Sequence, residues 1–275
     1  MASSTELSVT FWGVRGSTST PVKAMSGYGG HTPCIEVSCG GRQLIFDAGT
    51  GIARLGESLP QGGTFDIFFS HSHYDHIEGL PFFKPLYDKK VSVRLWSGHL
   101  GDAGATASLV RDFMRAPFFP VGPEVIRARL DYRDFVPGKI LKPASGISVR
   151  TISLNHPGGG VGYRVDFGGR SFCYLTDHEH GLPGCDAALA KFAHGAQLVV
   201  YDAMYTDENY PDFVGFGHST WQEALRFSQR ASIGRIALFH HHPEAEDKAL
   251  AAIAKLAARQ LPGTIMAREG ETIIV

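Results

Sequence analysis

Residues 71–76 read His71-Ser72-His73-Tyr74-Asp75-His76, and this stretch decides the fold. It follows the apolar run FDIFF, so it begins where a buried strand ends. Three imidazoles and a carboxylate in six positions are hard to explain as a surface turn. In an extended segment His71 and His73 point the same way. Asp75 and His76 then fall where the chain enters the next element. That arrangement predicts two adjacent metal sites, one begun by His71 and His73, the other by Asp75 and His76.

Further candidate ligands also stand just after apolar runs. His156 follows ISLN and precedes glycines that permit close backbone approach. Asp177 follows CYLT, and its two carboxylate oxygens can bridge two cations; alone it would be a turn former. His240 opens the His240-His241-His242 run after ALF and is preferred because it lies nearest the strand end; a solvated corner is the other reading of that run. Asp47 after LIF and Asp202 after VVY complete the pattern. Strand ends that present His or Asp point to one shared site on a rigid scaffold. Imidazole and carboxylate together suit zinc first, and accept manganese or iron.

Around these motifs the 275-residue chain alternates short β-branched and aromatic runs with helical patterns at about 50–59, 104–116, 184–194, 219–231 and 244–259. Two sheets covered by helices fit this mixture better than a strict parallel βαβ sheet. No domain boundary is visible, so a single domain over 1–275 is expected. A segment at about 100–136 is expected to cap the site or form a dimer contact. With 43% hydrophobic residues a sizeable core is available. The 26 Lys+Arg against 27 Asp+Glu leave a formal charge of -1, which argues against coating nucleic acid or an anionic membrane. No apolar run is long enough to span a bilayer. The opening MASSTELSVTFWGV lacks a basic leader and a cleavage site, so a mature cytoplasmic protein is expected. The scattered Cys34, Cys39, Cys173 and Cys185 predict reduced thiols, mostly buried.

HSHYDH, taken in order with LIFDAGTG, TDHEH, GHST and LFHHHP, resembles the metallo-β-lactamase fold superfamily. Within it the chain is most similar to the ribonuclease Z-like and class II cyclic-nucleotide phosphodiesterase branch, and GVRGSTSTP, YGGHTPCIEV, HIEGLPFF and HPGGGVGYRV extend the similarity along most of the chain. The resemblance implies an αββα sandwich with a dinuclear metal site at one edge. It places His71, His73 and His156 on one ion, Asp75, His76 and His240 on the other, and Asp177 between them. It gives Asp47 a supporting role behind the metal loop. It implies hydrolysis by metal-activated water, with Asp75 orienting that water as well as ligating.

His218 in GFGHST is the candidate proton donor to the leaving group, and the branch pairs this histidine with an acidic residue, here Asp202. The alternative is that His218 anchors its loop to the helix after it, which Ser219 or Thr220 would cap. Tyr201 stands where the related nucleases carry a histidine, and its phenol is the other candidate donor. Arg15, in GVRGSTST, and His31 are candidate substrate contacts; a Gly/Ser turn explains the former run equally well. The expected activity is therefore cleavage of a small phosphodiester, a cyclic nucleotide among them, by a chain with no stable nucleic-acid partner. A thioester or lactone hydrolase is the alternative. A tRNA 3′-processing nuclease is disfavoured, because the stretch from His156 to Asp177 is too short for the family's tRNA-gripping arm. A di-iron redox enzyme is disfavoured by His73, where that type carries a carboxylate. The family also makes a homodimer an expectation.

Overall fold

A computed structural model describes residues 6–275. The first half of the chain lays down β1 (Leu7–Gly13), β2 (Cys34–Cys39), β3 (Arg42–Phe46), β4 (Gly63–Phe69), β5 (Val91–Ser97) and β6 (Arg129–Asp134). With the C-terminal β14 (Thr272–Ile274) these form a sheet in the order β14-β1-β2-β3-β4-β5-β6. The second sheet contains β7 (Ile140–Leu141), β8 (Ser148–Leu154), β9 (Gly160–Phe167), β10 (Arg170–Leu175), β11 (Leu198–Asp202), β12 (Arg235–Phe239) and β13 (Ile265–Met266), in the order β13-β12-β11-β10-β9-β8-β7. Both sheets are mixed: β3 to β6 pair in parallel, as do β10 to β13, and the hairpins pair antiparallel.

Burial explains the layering. β1 alternates buried and half-buried side chains, as a strand with one dry face should. The inner faces of the two sheets interlock through Phe46, Phe68, Tyr163, Phe172, Tyr174 and Phe239. The outer face of the first sheet is covered by α1 (Gly51–Ser58) and α3 (Ala105–Phe113). That of the second is covered by α4 (Pro183–Ala193), α5 (Trp221–Arg230) and α6 (Asp247–Gln260); the short α2 (Tyr74–Ile77) lies earlier in the chain. The result is the expected αββα sandwich. The helix α5 starts where Thr220 Oγ1 accepts the Glu223 amide at 2.9 Å, so Thr220 rather than Ser219 is the cap.

The segment at 100–136 divides in two. Its last part is β6, the edge strand of the first sheet and part of the sandwich itself. Its first part is α3 and the loop after it. Asp134 on β6 accepts from Gly104 N at 2.7 Å and Thr106 N at 2.9 Å, pinning the start of α3 to the sheet edge. RLDYRD escapes a strand reading because it is charged, as an exposed edge strand should be to resist pairing with another chain. The four cysteines are unpaired, and three of them are buried.

Register brings the candidate ligands to one edge. Phe46 pairs with Phe68 and Leu175 with Tyr201, so β3 and β4 end side by side, as do β10 and β11. The residues just beyond these ends, with those after β8 and β12, converge where the sheets meet. There Gly16 N donates to His241 O at 2.9 Å and His241 N to Val14 O at 3.0 Å, joining the two sheets.

Candidate metal centre

Side-chain donors gather in two overlapping groups at this edge. The ligand atoms of His71, His73 and His156 lie within 4.8 Å of one another, as do those of Asp75, His76 and His240; Asp177 joins His71 and His76 in a group of the same span. Asp177 Oδ1 is 3.3 Å from both His76 Nε2 and His240 Nε2, and its Oδ2 is 3.7 Å from His71 Nε2. A single carboxylate therefore faces both groups.

The far side of each ring fixes which nitrogen points inward. His76 Nδ1 donates to Asp47 Oδ2 at 2.8 Å, leaving Nε2 for the cluster. His156 Nδ1 donates to Gly217 O at 2.9 Å, leaving Nε2. Ser70 Oγ donates to Asp47 Oδ2 at 2.7 Å, so its lone pair accepts from His71 Nδ1 at 3.0 Å, and again Nε2 is left. Asp47 completes its shell with Ser70 N at 2.7 Å and the Tyr174 hydroxyl at 2.8 Å. Three of the residues that build this edge, Asp47, Asp177 and His240, take left-handed backbone at φ 62°, 52° and 60°. Such strain in non-glycine residues persists where the surroundings over-determine it, and it clusters at functional sites. Gly217, at φ 89°, has no room for a Cβ, which would lie 2.2 Å from His156 Nδ1.

A metal fits these residues. His71 Nε2 is buried without a hydrogen-bond partner, a state that costs about 1–3 kcal/mol when nothing fills it. Two inward-facing imidazole pairs, His73 Nδ1–His156 Nε2 at 3.1 Å and His76 Nε2–His240 Nε2 at 3.3 Å, resemble neighbours on one ion; ligands about 2.0–2.1 Å from a tetrahedral ion lie about 3.3 Å apart. Burial holds His71 well below the usual histidine range, helped by neighbouring His76, and burial also lowers His73 and His156. These rings are therefore neutral and ready to ligate at pH 7. Burial opposes charge on Asp75 and Asp177, yet the surrounding histidines hold both carboxyls far below the usual range. Among the described residues, every ion pair that Asp47, Asp75 and Asp177 make is to a histidine, so the counter-charge this edge needs is one that divalent cations can supply.

Asp202 and His218 also lie within reach of Asp177 and His240. Asp202, however, is saturated: Oδ1 accepts from Met204 N and Ser219 N at 3.1 and 3.0 Å, and Oδ2 from Asp177 N and His218 Nδ1 at 3.1 and 2.8 Å. It orients His218 and has no lone pair to spare for an ion. Burial pushes the His218 ring down, but the charge and hydrogen bond of Asp202, with Asp177 and Asp75, lift it to about 9. With Nδ1 held by Asp202, the ring lines a cavity of about 730 Å³ that His73, Asp75 and Asp177 also line.

Three expected site residues are placed elsewhere. Tyr201 precedes Asp202 on β11, so strand alternation turns it to the opposite face, where it stacks on Phe227 with ring centroids 4.7 Å apart. Burial pushes its hydroxyl far above the usual range, so it is no proton donor to the cavity. Arg15 is fully buried and is not among the residues that line the cavity over the cluster. Its guanidinium donates to Gly29 O at 3.2 and 2.8 Å, to His242 O at 3.0 Å and to Ala245 O at 2.8 Å, tying three loops together. His31 lines a separate cavity with Arg54 and Glu269, its Nδ1 3.1 Å from Thr50 Oγ1.

Glu179 is a positioning residue that sequence reasoning misses. It is nearly buried and accepts from Gly215 N and Gly217 N at 2.7 Å each and from the Tyr210 hydroxyl at 3.2 Å. It thereby holds the loop that supplies both the carbonyl on His156 and the ring of His218. Its place in TDHEH, two residues after Asp177, is the available signal.

A family model described as the beta-lactamase superfamily domain matches residues 42–241. The chain belongs to the metallo-β-lactamase superfamily. Ribonuclease Z of Haloferax volcanii is 27% identical over 281 residues, covering 84% of this chain and 83% of that protein. Among solved structures, the metallo-β-lactamase fold protein YhfI of Bacillus subtilis superposes with TM-score 0.75 at 17% identity, covering 98% of this chain and 99% of that one. A diphosphatase of the PhnP family superposes with TM-score 0.69 at 17% identity, over 98% and 97%. At these identities the structural likeness concerns the fold, and the chain is a metallo-β-lactamase-fold hydrolase with a metal-binding cluster.

Proposed function

We propose that this metallo-β-lactamase-fold hydrolase is a phosphodiesterase that cleaves a small phosphodiester, a cyclic nucleotide being one such substrate. Two divalent ions, zinc first, would be held by His71, His73 and His156, by Asp75, His76 and His240, and by Asp177 between them. Bound there, they supply Lewis acidity and a water whose pKa falls toward neutrality. The observation that carries the proposal is the Asp202–His218 pair, 2.8 Å apart, set against the cluster with the imidazole lining the cavity. Hydrolysis of a thioester or an activated aryl ester needs little help for its leaving group. Expulsion of an alkoxide from phosphorus needs a proton, and a histidine kept charged by a buried carboxylate can deliver it. His218 would hold that proton on Nε2 while Asp202 keeps Nδ1–H in place. Ions at Asp75 and Asp177 would cancel their help to His218, and Asp202 would remain its support.

The ribonuclease Z reading has a named relative in its favour, but β9 and β10 are joined by the two-residue turn Gly168-Gly169, both at positive φ. That hairpin fills the stretch from His156 to Asp177 and leaves no chain for an RNA-gripping arm. Nor does a membrane enter the proposal: no helix among the described residues is long and apolar enough to cross one.

The test is a substrate panel on metal-loaded protein: bis(4-nitrophenyl) phosphate, 2′,3′- and 3′,5′-cyclic nucleotides, a thioester, a lactone and nitrocefin. Phosphodiester hydrolysis is expected, with His218→Ala slower by roughly 10²–10⁴-fold at unchanged metal content. Turnover of the thioester or lactone with none of the phosphodiesters would sink the proposal.

A further inference from the structure

The cavity over the cluster is much larger than a single anion needs, and its walls differ sharply in chemistry. One side is the cluster itself. The other is built from Tyr74 on α2, Leu109 and Phe113 on α3, and Phe118 in the loop after it. Tyr74 is 77% exposed and Phe118 78% exposed, and neither ring pairs with another aromatic ring among the described residues. Their neighbours Phe82 and Phe119, by contrast, pair edge to face at 6.0 Å. Tyr74 sits between the candidate ligands His73 and Asp75, so the same short helix that places them sets its backbone beside the cluster.

Charge narrows what this wall can hold. Among the described residues lining the cavity there is no lysine or arginine. Two guanidiniums nearby, Arg111 and Arg115, are turned to Asp112 at 3.7 and 3.6 Å on the rim. Within the wall itself a second phosphate would meet the Asp112 carboxylate and no cation, the two guanidiniums standing outside the lining. A flat, uncharged group would find two exposed aromatic faces and two apolar side chains, which is how proteins hold bases without reading their sequence.

We propose that Tyr74, Leu109, Phe113 and Phe118 form a subsite for a planar aromatic group borne by the anion that faces the cluster, the aryl group of an aryl ester or, through its sugar, the base of a nucleotide. This rests on the phosphodiesterase reading for the reaction but not for the binding. The subsite accounts for a role of α3 and its loop: they give the hydrolase its preference without touching the ligands.

Binding tests it apart from turnover. Phenylphosphonate and methylphosphonate carry the same anionic head, and calorimetry on metal-loaded protein compares them. The phenyl compound is expected to bind about tenfold more tightly, the lower range for one stacked ring. Phe118→Ala and Tyr74→Phe separate the wall from its hydroxyl: the first should reduce the preference to within about twofold, the second should keep it, both at unchanged metal content. Equal binding of the two probes by the wild-type protein, no binding of either, or a full preference in Phe118→Ala would overturn the proposal. Failure of the function proposal looks different: the aromatic preference in binding persists while no phosphodiester is cleaved.

Discussion

Replacing Asp47 with Asn tests how the metal edge is held together. Asp47 is buried and accepts four hydrogen bonds, one of them from His76 Nδ1 at 2.8 Å. An asparagine has the same shape, but one oxygen becomes an NH₂ group. The Ser70 and Tyr174 hydroxyls can rotate to accept from it; the Ser70 amide and the His76 N–H cannot. The amide oxygen stays with Ser70 N, and the NH₂ then faces His76 Nδ1. The ring is forced into its other tautomer, with the proton on Nε2, where the lone pair for an ion should be. Loss of such an orienting partner costs about 10–100-fold in metal affinity, or about 1.4–2.7 kcal/mol. The loss should fall on the Asp75, His76 and His240 group. The His71, His73 and His156 group feels Asp47 only through the Ser70 hydroxyl on His71 Nδ1, while His156 keeps the Gly217 carbonyl, so its loss should be the smaller of the two. Competition with a chromophoric chelator, resolved into two equivalents, measures both. Tyr174→Phe is the control, because it removes one bond to Asp47, worth about 1 kcal/mol of stability, and leaves His76 alone. Two equivalents bound by Asp47→Asn at wild-type affinity would refute the tautomer argument. A drop in thermal stability with affinities intact would reduce Asp47 to packing.

Glu179→Gln should loosen the 215–218 loop, lowering affinity at the His156 group by about tenfold and turnover more than that, since His218 moves with the loop; a metal titration beside kcat and KM checks it. Arg15→Met leaves the carbonyls of Gly29, His242 and Ala245 without their donor, and should lower unfolding free energy by about 2–5 kcal/mol in urea melts while KM stays within about twofold. Burial drives His241 down to about 3, with its Nε2–H donated to Ala267 O at 2.8 Å. A histidine that folds neutral and charges when unfolded contributes stability above pH 6.5 and loses it as pH falls toward 3, by up to about 1.4 kcal/mol per pH unit. His241→Gln, melted in chelator from pH 7 to 4, should show a shallower slope by about one proton; an unchanged slope would mean another group titrates there.

The sequence carried the site further than the cavity, for a reason that particular residues make plain. His71, Asp177, Asp202 and His240 each come directly after an apolar run, and a strand end is a local feature that composition marks. Placement in three dimensions was less legible. Tyr201 and Asp202 are adjacent letters, yet strand parity sends one to the cluster and the other under α5, and the pattern VVYDA does not say which. Arg15 in a Gly/Ser run looks like an anion contact until three carbonyls from positions 29, 242 and 245 are seen around it. RLDYRD looks like a loop because an edge strand is charged for its own protection. Glu179 had only its place in TDHEH to mark it, because two of its three partners are the amides of Gly215 and Gly217, and amides leave no trace in a sequence.

The charge arithmetic of the edge bears on the substrate. Asp47, Asp75, Asp177 and Asp202 are four buried carboxylates, and the ligand histidines His71, His73 and His156 are neutral. On the two-ion proposal their charges and those of two divalent cations cancel, and a protonated His218 is offset by the buried Glu179 behind its loop. A site of that balance welcomes a monoanion. A phosphodiester carries one negative charge; a monoester or a diphosphate carries more, and the cavity wall has no lysine or arginine among its described residues to meet it. Methylphosphonate compared with the methyl ester of the same acid, a dianion against a monoanion of nearly equal size, measures this preference. The monoanion should bind at least as well at pH 8, where electrostatic matching rather than total charge decides. Tighter binding of the dianion by tenfold or more would place an excess of positive charge at the edge and turn the argument toward phosphomonoesters.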